Sequence, residues 1–245
     1  MLEGLNSAAA GMAAQQQRLD ATANDLANAN TNGYKRMRVG FRDLVYTQAG
    51  RPAADGVRIG AGSAAIDAGR GFSQGTARET GEPLDVAIQG DGFLRVRTPD
   101  GGVGLTRDGA LQVDGNRRVT TASGALLQPP LTIPESVSLD DVKIDADGTV
   151  RAGEQRLGRI EVVNVRAPQG LQSIGDNLFA PTATSGQPTG APAATKLVQG
   201  SLEGSNVNVS DAMVGMIEAQ RSFELASRAI KTADQMMEIA NGVKR

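Results

Sequence analysis

The sequence contains no cysteine and no histidine. The first absence excludes disulfides and thiolate chemistry. The second removes the usual general base and the commonest zinc ligand. Aromatic residues make up only 3% of the chain, few for a conventional globular core. No stretch approaches the ~20 consecutive apolar residues that span a bilayer. The opening MLEGLNSAAAGMAAQQQRLD has no basic start and is broken by Gln15, Gln16 and Gln17, which argues against a cleaved secretory signal. Neither sign of charge dominates: the net charge is −2, so nothing favours nucleic acid or an anionic membrane as partner. Glycine, by contrast, is plentiful at 31 residues, as suits many tight turns in a β-rich region.

The 245 residues suffice for one good core or two modest domains, and three zones separate by pattern. In the first, Leu5, Met12, Leu19 and Leu26 recur every seven residues, with Leu2, Ala9, Gln16 and Ala23 as the companion set. Alternating steps of three and four mark a coiled-coil seam on a helix of roughly 40 Å. Asn28, Asn30, Asn32 and Gly33 should stop that helix, because Asn and Gly favour the left-handed conformation. In the last zone Val209, Met216, Phe223, Ile230 and Met237 repeat the seven-residue period, and Ala212, Ala219, Ala226, Ala233 and Ala240 interleave with them. Alanine at every second seam position lets a partner helix approach closely. Asn208 or Ser210 can cap this helix, with Asp211 favourable in its first turn. Met213, Met216, Met236 and Met237 read as helix-packing residues rather than metal ligands.

The middle zone is of another kind. Leu84–Ile88, Phe93–Arg97, Val142–Ile144 and Arg159–Val165 carry β-type residues, several alternating apolar and polar. Turn signals separate them, among them Gly90-Asp-Gly92, Asp108-Gly109 and Asp147-Gly148. The implied fold class is α+β: N- and C-terminal coiled-coil helices packed together, with an antiparallel β-rich domain inserted between them. The helical part takes residues 1–35 and 205–245 and the β-rich part 36–204. Two stretches, a Gly/Ala-rich connector near 48–71 and the Pro/Thr/Gly-rich 181–195, read as linkers, loose or ordered by context. Lys35, Arg36, Arg38 and Arg42 read as a solvated or subunit-contacting face. Asp145-Ala-Asp-Gly148 reads as a turn, since it lacks the further oxygen ligands of a calcium loop.

Several segments resemble a known family. Asn24-Asp-Leu-Ala-Asn-Ala-Asn-Thr-Asn-Gly-Tyr-Lys35 resembles the signature that ends the first helix of bacterial flagellar rod and hook proteins, on Asn24, Leu26, Asn28, Thr31 and Gly33. Leu84-Asp-Val-Ala-Ile-Gln-Gly-Asp-Gly-Phe93 resembles that family's central β motif, on Asp85, Gly90, Gly92 and Phe93. Thr106-Arg-Asp-Gly109 with Val119–Leu127 resembles its next hairpin. Leu202-Glu-Gly-Ser-Asn-Val-Asn-Val209 and Gln220-Arg-Ser-Phe-Glu224 resemble the entry and middle of its last helix, on Glu203, Gly204, Asn206, Gln220 and Arg221. The matches run in order from end to end, and Ala219–Glu224 through Asp234-Gln-Met236 is most similar to the distal-rod members. Tyr46 to Gly60 is shorter than the corresponding segment of those members, so proximal-rod or hook-like paralogues stay open.

The resemblance implies a structural subunit exported unfolded through the growing flagellum by type III export, without a cleaved signal. Its helices would build the inner layer of the tube that carries torque from motor to hook, and the β domain the outer layer. Leu5, Met12, Leu19 and Leu26 would meet Met216, Phe223, Ile230 and Met237, or their counterparts in neighbours. The implied partners are further copies in a helical tube, adjoining rod and hook subunits, the export apparatus and ring proteins around the rod. The implied location is the basal body in the cell envelope and periplasm. No cofactor, metal, catalytic residue, nucleic acid or small-molecule substrate is implied. Two other classes compete on pattern alone: a β-rich hydrolase using Asp85 and Asp91, and a secreted adhesin with a helical stalk that closes into dimers or trimers.

Overall fold

The computed structural model describes residues 2–44, 47–48 and 58–242. It has the α+β architecture expected, with a helix at each end and an antiparallel β-rich body between. Helix α1 spans Leu2–Ala27 and helix α2 spans Val209–Gly242, and the two pack against each other. No helix among the described residues is long and apolar enough to cross a membrane.

By its internal contacts the chain forms two compact units. The first comprises Met1–Ala27, Met37–Ala68 and Asn208–Arg245; the second comprises Asn28–Arg36 and Gly69–Val207.

In the first unit, α1 ends where the Asn-rich run begins, and α2 starts at a proper cap. The Asn208 side-chain oxygen accepts from the amides of Ser210 at 3.0 Å and Asp211 at 3.4 Å, satisfying two of the free donors of the first turn. Arg18, nine residues before the end of α1, donates to Glu218, nine residues after the start of α2, at 3.2 Å. The strand Met37–Asp43 follows, its first amide donating to the Asp25 carboxylate at 3.0 Å. It pairs with Ser63–Arg70, so part of the segment read as a Gly/Ala-rich connector is a strand. Most of that strand's side chains are half-buried or exposed, so its order comes from backbone pairing, which composition does not reveal. Of the short segment Tyr46 to Gly60, Tyr46 and residues 49–57 lie outside the described residues.

The second unit is built on a nine-stranded sheet whose central strand, Phe93–Arg97, pairs with Val103–Thr106 on one side and with Leu126–Leu127 and Val162–Asn164 on the other. A three-stranded sheet, Val142–Ile144, Thr149–Ala152 and Gln155–Arg159, packs nearby. Two ribbons complete the unit: Lys196–Gln199 with Val86–Gln89, and Ser201–Glu203 with Ala77–Glu79. Alternation along Phe93–Arg97 sends neighbours to opposite faces. Leu94 and Val96 enter a large aliphatic cluster with Val86, Ile88, Leu127, Ile133 and Ile160. Phe93 enters a second cluster with Leu105, Val163 and Phe179. The scarce aromatics concentrate there: Phe72 meets Phe93 and Phe179 edge-on, each at 5.2 Å between centroids. In the Pro/Thr/Gly-rich stretch, Thr182 and Ser185 bond each other's amides, so this segment is ordered by its own side chains.

Candidate functional site

Coverage of the two seams is thin, and the companion positions Ala9, Gln16 and Ala23 of α1 are exposed. Leu5, Met12, Leu19 and Leu26 of α1 are half-buried, as are Met216, Ile230 and Met237 of α2, while Phe223 is 38% exposed. In both helices together, among the described residues, only Ala14, Asp25 and Ala219 are buried. Alanine brings the helices close, yet it contributes little apolar area of its own. Outside the seam, Met213, Val214, Ile217, Leu225, Met236 and Ile239 remain 50–68% exposed. Met213 and Met236, read from sequence as helix-packing residues, therefore stand mostly in solvent. Gln220 and Arg221 are also exposed, Gln220 reaching only Glu224 one turn on, at 3.5 Å.

Apart from Asn24 and Leu26, which belong to the first unit, the remaining motif residues lie within the second unit. Thr31 bonds the Asn28 side chain at 3.1 Å inside the turn after α1. Asn24 at the helix end and Leu26 on the seam are exposed and half-buried respectively. Gly33 takes φ +67°, and its amide donates to the Glu203 carbonyl at 2.7 Å. Asn206 ties the segment leaving the body to the one entering it. Its side-chain oxygen accepts from the Arg36 amide at 2.8 Å, and its side-chain amide donates to the Gly71 carbonyl at 2.6 Å. The Gly204 amide donates to the Thr76 carbonyl at 2.9 Å.

At the centre stands Glu203, 1% exposed. Its Oε1 accepts from Lys35 Nζ at 2.6 Å and from the Gly75 amide at 2.8 Å, and its Oε2 accepts from Arg107 Nε at 2.8 Å. Lys35 also donates to the Ser73 carbonyl at 2.8 Å, and Arg107 to the Gly90 carbonyl at 2.7 Å while lying over the Phe93 ring. Gly92, next to Phe93, leaves no room for a Cβ beside Val162. Burial pushes the Lys35 ammonium below the usual lysine range; Glu203 opposes that fall, and Arg107 adds to it.

Lys35 thus corrects the reading of a basic surface cluster. Arg36, Arg38 and Arg42 are exposed, but Lys35 is fully buried on a carboxylate 168 residues away. The sequence reading put Lys35 on the surface and gave Arg107 no role of its own. The available signal was one charged residue near a glycine in each of three quoted motifs: Lys35 after Gly33, Arg107 before Gly109, Glu203 before Gly204.

Asp85 is buried, its carboxylate accepting from the Thr80 hydroxyl at 2.6 Å, whereas Asp91 is exposed in a turn. Asp145–Gly148 is the turn between two strands of the three-stranded sheet, with Asp147 accepting from the amide and hydroxyl of Thr149. Among the described residues no group of three or more Asp or Glu is placed to hold a metal ion.

Three family models match the chain in order. They are the flagella basal body rod protein model at residues 5–35, the flagellar hook protein FlgE/F/G D1 domain at 87–152, and the flagellar basal body rod FlgEFG protein C-terminal model at 198–243. The chain is 40% identical to the flagellar basal-body rod protein FlgG of Borreliella burgdorferi, over all of both chains. It is 36% identical to FlgG of Caulobacter vibrioides, over 99% of this chain and 100% of that one. It is also 32% identical to the flagellar hook-basal body complex protein FlhP of Bacillus subtilis, over all of both chains.

Proposed function

This chain belongs to the flagellar basal-body rod protein family, as a structural subunit, and we propose that its thinly packed helix pair is the surface through which it polymerises into the axial tube. In this reading residues 1–35 and 205–245 form the polymerisation domain and 36–204 the outer domain. The likeness to FlgG along the whole chain supports a place in the distal rod, transmitting torque from motor to hook. The partners are then further copies of the chain, adjoining rod and hook subunits, the export apparatus that delivers it without a cleaved signal, and the rings that surround a rod in the envelope.

The observation that carries the proposal is the poor coverage of α2. Burying the exposed parts of Met213, Ile217, Leu225, Met236 and Ile239 against neighbours would yield about 1 kcal/mol each, at ~25 cal/mol per Å². A single contact of that size is weak, but a helical lattice repeats it with every neighbour.

Hydrogen exchange on the purified monomer and on assembled material tests this. Amides of α1 and α2 should exchange quickly in the monomer and become protected on assembly. Full protection of both helices in a lone, non-assembling monomer would make them an ordinary core and sink the proposal.

A further inference from the structure

Glu203 gathers four donors from three separated places in the chain. Its carboxylate takes Lys35, Gly75 and Arg107, and its carbonyl takes Gly33. All four precede it in sequence. The three charged side chains are at most 2% exposed, and they comprise two cations and one anion. A buried ion pair is weak evidence for stability, but removing one partner leaves uncompensated charge in a dry site, which is strongly unfavourable. Without the carboxylate, closing this region would bury Lys35 and Arg107 as like charges that repel each other. It would also leave the Gly75 amide without that acceptor.

We propose that Glu203 is a completion latch. The region around Lys35, Gly75 and Arg107 stays open until Ser201–Glu203 pairs with Ala77–Glu79, and then closes in one step. Closure fixes the segment that enters the body, 33–36, and the segment that leaves it, 203–206, at the same moment. The bonds of Asn206 to the Arg36 amide and the Gly71 carbonyl secure the same two segments beside each other. The body therefore completes itself only on a chain whose C-terminal part is present. The latch does not depend on how the helices are used.

Pulsed hydrogen exchange during refolding of the full-length protein tests the order of events. The Gly33 and Gly75 amides should gain protection together with the Ser201–Glu203 ribbon. Protection of Gly33 and Gly75 clearly before that ribbon would overturn the proposal.

Two variants test the cause at equilibrium. E203Q keeps the shape and removes the charge; it should speed exchange at Gly33 and Gly75 by about a hundredfold or more. K35M/E203Q removes one of the two stranded cations and should slow that exchange again by about tenfold relative to E203Q. If E203Q fails to fold, the double variant should fold better. A double variant no better than E203Q would show that lost hydrogen bonds, not stranded charge, govern the site, and the latch would fail.

Discussion

Gly33 and Gly81 offer a matched pair for separating two costs that a left-handed glycine can hide. Their φ angles are +67° and +77°, and each donates a backbone hydrogen bond, to the Glu203 and Gly200 carbonyls respectively. They differ in what surrounds them. A Cβ on Gly33 would stand 2.5 Å from the Asp108 amide nitrogen, 2.7 Å from its Cα and 2.8 Å from the Arg107 carbonyl carbon. A Cβ on Gly81 meets nothing within 4 Å. G81A therefore carries only the conformational penalty, about 1–2 kcal/mol. G33A carries the same penalty plus overpacking against backbone atoms that no rotamer change can move, about 1–3 kcal/mol more. Urea unfolding followed by strand circular dichroism reads the difference. With a slope of about 3 kcal/mol per molar urea, G81A should lower the midpoint by about 0.5 M and G33A by about 1 M or more. Equal shifts would show that the Arg107–Asp108 backbone yields freely and that Gly33 is needed only for its φ.

Three further outcomes follow from the same structure. Ala219 is buried where the helices approach, so A219L should either force them apart or cost about 1–3 kcal/mol, read as lower helix protection in hydrogen exchange. Leu225 and Ile239 are 66% and 68% exposed, so L225S/I239S should change monomer stability by less than about 0.5 kcal/mol. The same variant should reduce sedimentable polymer and, in cells relying on it, motility; unchanged assembly would show that this face is not an interface. For pH, the amide and hydroxyl of Thr149 hold the Asp147 carboxyl below the usual carboxylate range. The unfolded chain then binds the proton first as pH falls through 3.8, so stability present above that value is lost on acidification. Burial pushes Asp108 the other way, so its contribution declines as pH rises from 3.8 towards its folded value. D147N should flatten the acid limb of the stability curve, while D108N should raise the urea midpoint at neutral pH and leave it nearly unchanged well below pH 3.8.

The features legible in the sequence were those set by local rules. The seven-residue period marked both helices, and Asn208 caps α2 as its position suggested. Phe93–Arg97 and Val142–Ile144 are strands over the expected residues, and Gly33 has the positive φ that a helix stop favours. What escaped depends on distant pairing. Ser63–Arg70 looks like linker because its side chains bury little, and only its partner strand makes it a strand. Lys35 looks like surface because it sits among arginines, and its environment is decided by Glu203 and Arg107, 168 and 72 positions further along the chain. A charge pattern read along the chain carries no information about which member will be dry.

The helices and the motif junction divide order between them in opposite ways. Along α1 and α2, the described residues that become buried are two alanines and Asp25, so the intrachain pairing rests on little apolar area. Such helices gain most of their stability from whatever covers them next. The segments 33–36 and 203–206 are held instead by short hydrogen bonds to a buried carboxylate, an asparagine side chain and backbone carbonyls, none of which needs a neighbour. If the subunit is exported unfolded and assembles in place, as proposed above, that asymmetry serves it. Its junction closes by itself once the chain is complete, while its helices keep their apolar faces for other copies. Overpacking at Ala219 would then disturb the paired surface offered to those copies, so A219L and L225S/I239S should both weaken the polymer, the first while destabilising the free chain and the second while leaving it nearly unchanged.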